Sequence, residues 1–325
     1  MTRPPLRILL MGPLPRPWGG VAVHVRRLWE RLLKEGFRVR LWDERLLRGR
    51  WAERALLAPE PVIHYHGHSW GARARLAWAT FLGKRVVFTV HSLRREPPPR
   101  IALRYEFRLA LKRAFFIASS DEVSEKLKRL GAERVFTVPT YLKPAERPEP
   151  APEVAEFAKS HEPVLLTAAF NARPGKRQRD FYGVLDALDA ARILRQDFPK
   201  LGLIVYLARP GPLFPEVKKR LERWVLLRLN APEPSWSALS IAQLFIRATE
   251  SDTTAISLLE AADAGVPAVA SDAVPRPGWV RVYEAGNPRG LAAAVKEALL
   301  NPSLPPKPKD YFEDVLKVYS LAEAQ

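Results

Sequence analysis

The stretch RATESDTTAISLLEAADAGVPAVASD, Arg247 to Asp272, carries the signals of a strand end, a polar turn, a helix and a second strand. Leu244 to Thr249 is a short apolar run, after which Ser251, Asp252, Thr253 and Thr254 crowd together as N-cap candidates. Ile256, Leu259 and Ala262 follow at helical spacing, Gly265 supplies a stop, and VPAVAS resumes as a buried strand. A helix that starts this way turns unpaired N–H groups and a positive dipole end toward an anion. Two carboxylates belong to it: Asp252 at the turn and Glu260 inside the helix. The residues alone fit an ordinary capped helix of an α/β sheet equally well.

Toward the N-terminus the same grammar repeats. Leu6 to Gly12 reads as a buried strand, Pro13 to Gly20 as a proline- and glycine-rich turn, Val21 to Glu35 as an amphipathic helix stopped by Gly36, and FRVRLW as a second strand. That unit presents backbone amides to a phosphate or a sugar. There is no G-x-G-x-x-G, so a nicotinamide cofactor is not expected. His64, His66 and His68 fall two residues apart, on one side of an extended strand, a spacing that a zinc ion could use. No acidic partner stands near them in sequence, and no metal site is assigned. Arg100, Arg104, Arg108 and Lys112 recur every four residues as a basic stripe on a helix with apolar Ile101, Leu103, Phe107 and Leu111. Such a stripe suits either a solvated face or an anionic membrane surface. Lys143 to Glu153 holds four prolines and reads as a stiff linker.

The chain has 325 residues, room for two domains, and its 47% hydrophobic content with 27% charged residues describes a soluble protein. No cysteine occurs, which removes disulfides, thiolate metal sites and cysteine nucleophiles and suits a reducing compartment. With no run that reads as a signal peptide or a membrane span, a cytoplasmic location is expected, peripheral to the inner membrane face if the basic stripe is used. The net charge of +17 calls for an anionic partner: phosphorylated substrate, membrane or nucleic acid. Nucleic acid is the least supported, because zinc-finger spacing, an RNP-like aromatic motif and a basic low-complexity tail are all missing.

The opening stretch resembles the donor-sugar site of the retaining GT-B glycosyltransferases of family four, which write an acidic residue, seven residues, Glu-Ala, and then Gly-x-Pro-x-Val-Ala-Ser. Asp252 stands at the first acidic position, and Glu260-Ala261 and Gly265-Val266-Pro267 match directly. Gly19-Gly20-Val21-Ala22-Val23-His24-Val25 resembles the family's N-terminal glycine turn, and DYFEDVLKVYSLA its terminal helix. The resemblance implies an α/β protein of GT-B type: two Rossmann-like domains facing across a cleft, with the C-terminal helix crossing back to the first. The expected domains are residues 1–143 with a returning helix over 307–325 for the acceptor, a linker over 144–162, and residues 163–306 for the donor.

It also implies transfer of a sugar, with retention, from a UDP- or GDP-sugar to the hydroxyl of a lipid-linked or polysaccharide acceptor, without a bound metal or cofactor. His91, at a strand end, and Asp252 would be catalytic; Glu260 would take the ribose; Gly19, Gly20, Thr253 and Thr254 would approach the donor. The chain departs from the family where an Arg and a Lys grip the diphosphate. Ala169-Phe170 replaces Gly-Arg and Tyr182 replaces the Lys before Gly183, so Arg173 and Lys176 on the intervening loop take that task. Two other readings stay open: a GT-B epimerase acting on the nucleotide-sugar alone, and a non-catalytic GT-B module that binds membranes or polyanions.

Overall fold

The computed structural model describes residues 6–45, 51–93, 105–176, 180–252 and 255–323. The chain forms two compact units. Unit 1 runs to Pro15, from Gly20 to Ala145 and from Asp310 onward; unit 2 comprises Arg16–Gly19 and Glu146–Lys309.

In unit 1, strands and helices alternate: β1 (Arg7–Gly12), α1 (Gly20–Lys34), β2 (Arg38–Asp43), α2 (Trp51–Leu56), β3 (Val62–Tyr65), α3 (Trp70–Leu76), β4 (Arg85–Val90), α4 (Tyr105–Arg113), β5 (Phe115–Ala118), α5 (Asp121–Arg129) and β6 (Arg134–Thr137). A 3-10 helix, Ala77–Leu82, continues directly from α3. The strands are parallel in the order β2-β1-β3-β4-β5-β6. Successive residues of β1 enter different cores. Leu9 and Met11 pack with Trp70 and Phe107, whereas Ile8 and Leu10 pack with Val25, Leu28 and Leu32 of α1. A strand covered on both faces must be apolar at every position, which is why RILLMG reads as a run and not as an alternation. Local caps agree with the pattern: Ser120 accepts from the Val123 N–H at the start of α5, whose first turn is acidic and last turn basic.

Unit 2 repeats the plan with α6 (Pro152–Ser160), β7 (Val164–Asn171), α7 (Val184–Leu194), β8 (Gly202–Arg209), α8 (Phe214–Lys218), β9 (Val225–Leu229), a 3-10 helix Ser235–Ser240, β10 (Leu244–Arg247), α9 (Ile256–Ala264), β11 (Ala268–Ser271), β12 (Arg281–Tyr283) and α10 (Pro288–Leu300). Its six parallel strands run β12-β11-β10-β7-β8-β9. The chain then re-enters unit 1 as α11 (Phe312–Glu323). Phe312, Val315, Val318, Tyr319 and Ala322 fill the core that α1 shares with β1, and Arg31 pairs with Asp310 at 2.7 Å.

Two local expectations are corrected. The linker expected over 144–162 contains α6: Pro152 occupies the first helical position, where its missing N–H costs nothing, and Val154 is fully buried. Of the four N-cap candidates before α9, Thr253 and Thr254 lie outside the described residues, and neither Ser251 nor Asp252 holds the cap position. Ala255 holds that position at φ 37°, in the left-handed region, without a side-chain cap bond, and Asp252 uses its carboxylate elsewhere. Gly265 ends the helix at φ 77°, as expected. Among the described residues no helix is long and apolar enough to cross a membrane.

Candidate functional site

In each sheet the chain leaves the first strand in one direction and returns on its other side, at β1/β3 in unit 1 and at β7/β10 in unit 2. Loops past the carboxyl ends of strands diverge at such points, leaving a crevice lined by backbone and loop side chains. Most of the residues singled out from the sequence lie at these two points.

In unit 2 the centre is an ion-pair cluster at the end of β10. Arg247, the last residue of the strand, grips Asp252 as a fork, Nε to Oδ2 and Nη2 to Oδ1 at 2.9 Å each. Arg276 donates to the same carboxylate at 3.1 Å and to the Ser271 carbonyl at 3.0 Å, and its side chain is only 2% exposed. Thr249 adds a longer donation to Oδ2, and Ser271 ties back by donating to the Thr249 carbonyl at 2.5 Å. Two guanidiniums thus converge on one buried carboxylate. Burial alone would push the Asp252 carboxyl up; the Arg247 charge and hydrogen bonds, joined by those of Arg276, outweigh it and hold the pKa at about 2. Glu260, buried on α9, acts electrostatically on Arg247 and adds a second acid to the cluster.

The depressed pKa carries a pH dependence. An ordinary Asp releases its proton near 3.9, so the pairing contributes fully above that pH and is lost as pH falls through 2, worth about 2 kcal/mol in all. The stability difference between wild type and Asp252→Asn in urea titrations should therefore shrink by about 1 kcal/mol between pH 5 and pH 3.

The loop after β7 places Arg173 and Lys176 differently from each other. The Arg173 guanidinium stacks 3.7 Å over the Phe181 ring, half-buried and oriented, while Lys176 is exposed and its N–H donates to Glu250 at 2.5 Å. The start of α7 is already filled: fully buried Asp180 accepts from the N–H groups of Tyr182, Val184 and Leu185. Burial raises its carboxyl pKa against those hydrogen bonds. At the start of α9, by contrast, Ala255 holds the cap position without a side-chain cap bond, and the Ser257 Oγ there is buried without a hydrogen-bond partner. Thr253 and Thr254 lie outside the described residues. Gly19 packs in unit 2, where an added Cβ would meet the Phe170 ring at 3.4 Å; Gly20 is the first residue of α1 in unit 1. Arg247 and Arg276 escaped the sequence reading. Nothing in a local period joins positions 247, 252 and 276, although an Arg closing a buried strand was a visible anomaly.

In unit 1 a histidine cluster occupies the β1/β3 crevice, with a membership different from that expected. His68 is exposed because β3 stops at Tyr65, so the period-two side no longer applies beyond it. His64 is a core residue between the Tyr319 hydroxyl at 2.6 Å and Thr89 at 2.8 Å. His66 and His91 instead meet His24 of α1, with ring centroids 5.0 to 5.6 Å apart. His24 Nδ1 is bonded to the Thr140 carbonyl at 2.8 Å, which makes it the N–H and leaves Nε2 as the lone pair. His66 Nε2 is buried without a partner. Burial pulls the His24 pKa to about 4 and those of His66 and His91 well below the ordinary value, with mutual repulsion adding to it. All three are neutral at pH 7. One nitrogen from each lies within 4.8 Å of the others, a spacing compatible with a cation. Arg27 beside His24 and Arg73 beside His91 oppose a cation there, and neutral imidazoles among guanidiniums suit hydroxyl groups better.

Residues 45–145 match the model of Glycosyltransferase Family 4. Solved structures with the same architecture include a UDP-N-acetylglucosamine 2-epimerase, at TM-score 0.61 and 12% identity over 99% of this chain and 97% of that one. The sucrose-phosphate synthase of Thermosynechococcus elongatus matches at 0.60 and 16% over 98% and 97%. The pneumococcal O-GlcNAc transferase GtfA, solved with UDP and GlcNAc, matches at 0.53 and 16% over 83% of this chain and 55% of that one. No curated protein sequence matches the chain. The fold is of GT-B type: two six-stranded parallel sheets with flanking helices, each Rossmann-like.

Proposed function

We propose that the chain is a glycosyltransferase that binds a nucleotide-sugar through unit 2 and delivers the sugar, with retention, to an acceptor hydroxyl bound by unit 1. One observation carries this reading: the start of α9 and the Arg247–Asp252–Arg276 cluster with Glu260 stand at the switch point of unit 2. A departing diphosphate brings two negative charges, and stabilising them lowers the barrier more than any other single contribution. The α9 amides, Thr253 and Thr254, and the cations Arg173, Lys176 and Arg247 are assigned to those charges. Arg173 and Lys176 then stand in for the family's Arg/Lys pair, which this chain lacks, with Arg247 as a further cation beside them. Glu260 holds the ribose hydroxyls. Asp252, fixed as an ion at neutral pH, faces the positive charge that develops on the sugar ring and orients both arginines. Gly19 and Gly20 allow the turn after β1 to approach the donor. In unit 1, neutral His91, with His24 and His66 beside it, accepts hydrogen bonds from hydroxyls and eases removal of the acceptor proton. The basic charge fits an acceptor carried on a lipid or polysaccharide at an anionic surface.

The epimerase reading is favoured by one specific fact: the structural likeness to a UDP-N-acetylglucosamine 2-epimerase extends over almost the whole of both chains. Both readings share the donor site and differ in whether an acceptor is needed. A thermal-shift panel of UDP-, GDP- and ADP-sugars should raise the wild-type Tm with one nucleotide class and leave Glu260→Ala unmoved. Incubation with that donor alone then separates the two: an inverted sugar configuration means epimerisation, whereas an unchanged donor that is consumed on adding an acceptor means transfer. No shift with any donor removes both readings and leaves a non-catalytic module.

A further inference from the structure

Every exposed aromatic side chain among the described residues lies in one place. Trp78, Phe81 and Tyr105 are 40%, 47% and 63% exposed, and every other described Trp, Phe and Tyr is buried or half-buried. Trp78 stands 5.4 Å from Phe81 and 6.2 Å from Tyr105 between ring centroids. Leu82, 58% exposed, extends the group, so the end of the 3-10 helix Ala77–Leu82 and the start of α4 form a single apolar knuckle on unit 1. Its rim is basic. Arg113 lies 4.4 Å over the Phe81 ring, and Arg108 and Lys112 emerge from the α4 turns that follow Tyr105. Neither Arg108 nor Lys112 forms an ion pair among the described residues. Arg75, exposed one turn before Trp78, reaches its carboxylate, Glu53, only at 4.0 Å.

We propose that this knuckle docks unit 1 onto an anionic lipid bilayer, with Trp78, Phe81, Leu82 and Tyr105 entering the headgroup layer and Arg108, Lys112 and Arg113 resting on lipid phosphates. Exposed aromatics on a folded surface mark a contact site, and amphipathic rings beside cations match the polarity gradient at a membrane surface. A second copy of the chain is disfavoured as occupant. A two-fold contact would set Arg108, Lys112 and Arg113 against the same three cations. A bilayer containing acidic lipids offers them opposite charge instead, which a net charge of +17 reinforces. Binding here needs no sugar donor, so it stands or falls apart from the assignment of unit 2.

The test is co-sedimentation of the full chain with phosphatidylcholine vesicles, with and without phosphatidylglycerol, at fixed ionic strength. Wild type should pellet with the anionic vesicles and stay in solution with the neutral ones. Trp78→Ser/Phe81→Ser and Arg108→Glu/Lys112→Glu should each weaken that partitioning by about tenfold or more. Tyr105→Ser replaces the aromatic pair if the latter loses its cooperative melt. Full binding by the aromatic variants would reduce the interaction to diffuse charge and overturn the proposal. Failure of wild type to bind anionic vesicles would overturn it as well. A dimer in sedimentation velocity that the aromatic variants abolish would assign the knuckle to a second copy instead.

Discussion

Asp252→Ala is expected to destabilise unit 2 by about 3–5 kcal/mol, more than any other single side-chain truncation at the site. The carboxylate is not decorative: three donors from two arginines end on it, and one of those arginines is 2% exposed. Removing it leaves two guanidiniums facing each other in a low dielectric, and an uncompensated buried charge is far costlier than the pair was favourable. Asp252→Asn keeps one acceptor oxygen and should lose about half as much. The decisive measurement is the double variant Asp252→Ala/Arg276→Met. If the cost comes from stranded charge, the second change restores part of the stability lost in the first, as read from urea unfolding. Additive losses would show that Asp252 matters through packing alone. Donor affinity in Asp252→Asn, measured where the protein is fully folded, then reports the carboxylate's part in binding separately.

Gly183→Ala should cost about 3–5 kcal/mol although it adds one methyl group. Gly183 sits at φ 66° as the cap of α7, a conformation that L side chains rarely adopt. A Cβ built there would lie 2.2 Å from the Ala248 carbonyl oxygen, and backbone cannot step aside as a flexible side chain does. The only relief is to push residues 248–249 outward. Thr249 bonds both Asp252 and Ser271, so the displacement travels straight into the arginine cluster. A Tm depressed by roughly 10 °C, with any remaining donor binding weakened, is the expected pair of readings. A Tm within a degree or two of wild type would refute the steric argument.

Strand–helix alternation was legible because both sheets are covered on both faces, so each strand appears as an uninterrupted apolar run such as Ile8–Met11 or Val164–Leu166. Helix stops at Gly36 and Gly265 were equally plain, since a left-handed residue after a helix is nearly a glycine monopoly. The start of α9 misled for a physical reason: four good capping residues preceded it, but Asp252 was claimed by arginines that sequence spacing cannot link to it. The histidines misled similarly. Period-two reasoning grouped 64, 66 and 68, whereas β3 ends at Tyr65 and the cluster draws on α1 and the end of β4 instead. Short-range pattern reveals elements; charge partners that converge from several loops become visible only once the elements are in place.

The return of α11 to unit 1 has a consequence for how the protein is made. Residues 310–323 leave the ribosome after all of unit 2, yet Phe312 and Tyr319 are wholly buried beneath the unit 1 sheet, and the Tyr319 hydroxyl is one of the two partners of His64. The later-synthesised unit can therefore finish folding while the earlier one still waits, with an apolar trough along α1 open to solvent. Order of translation and order of completion are reversed, and the nascent chain is most exposed to aggregation and chaperone capture during that interval.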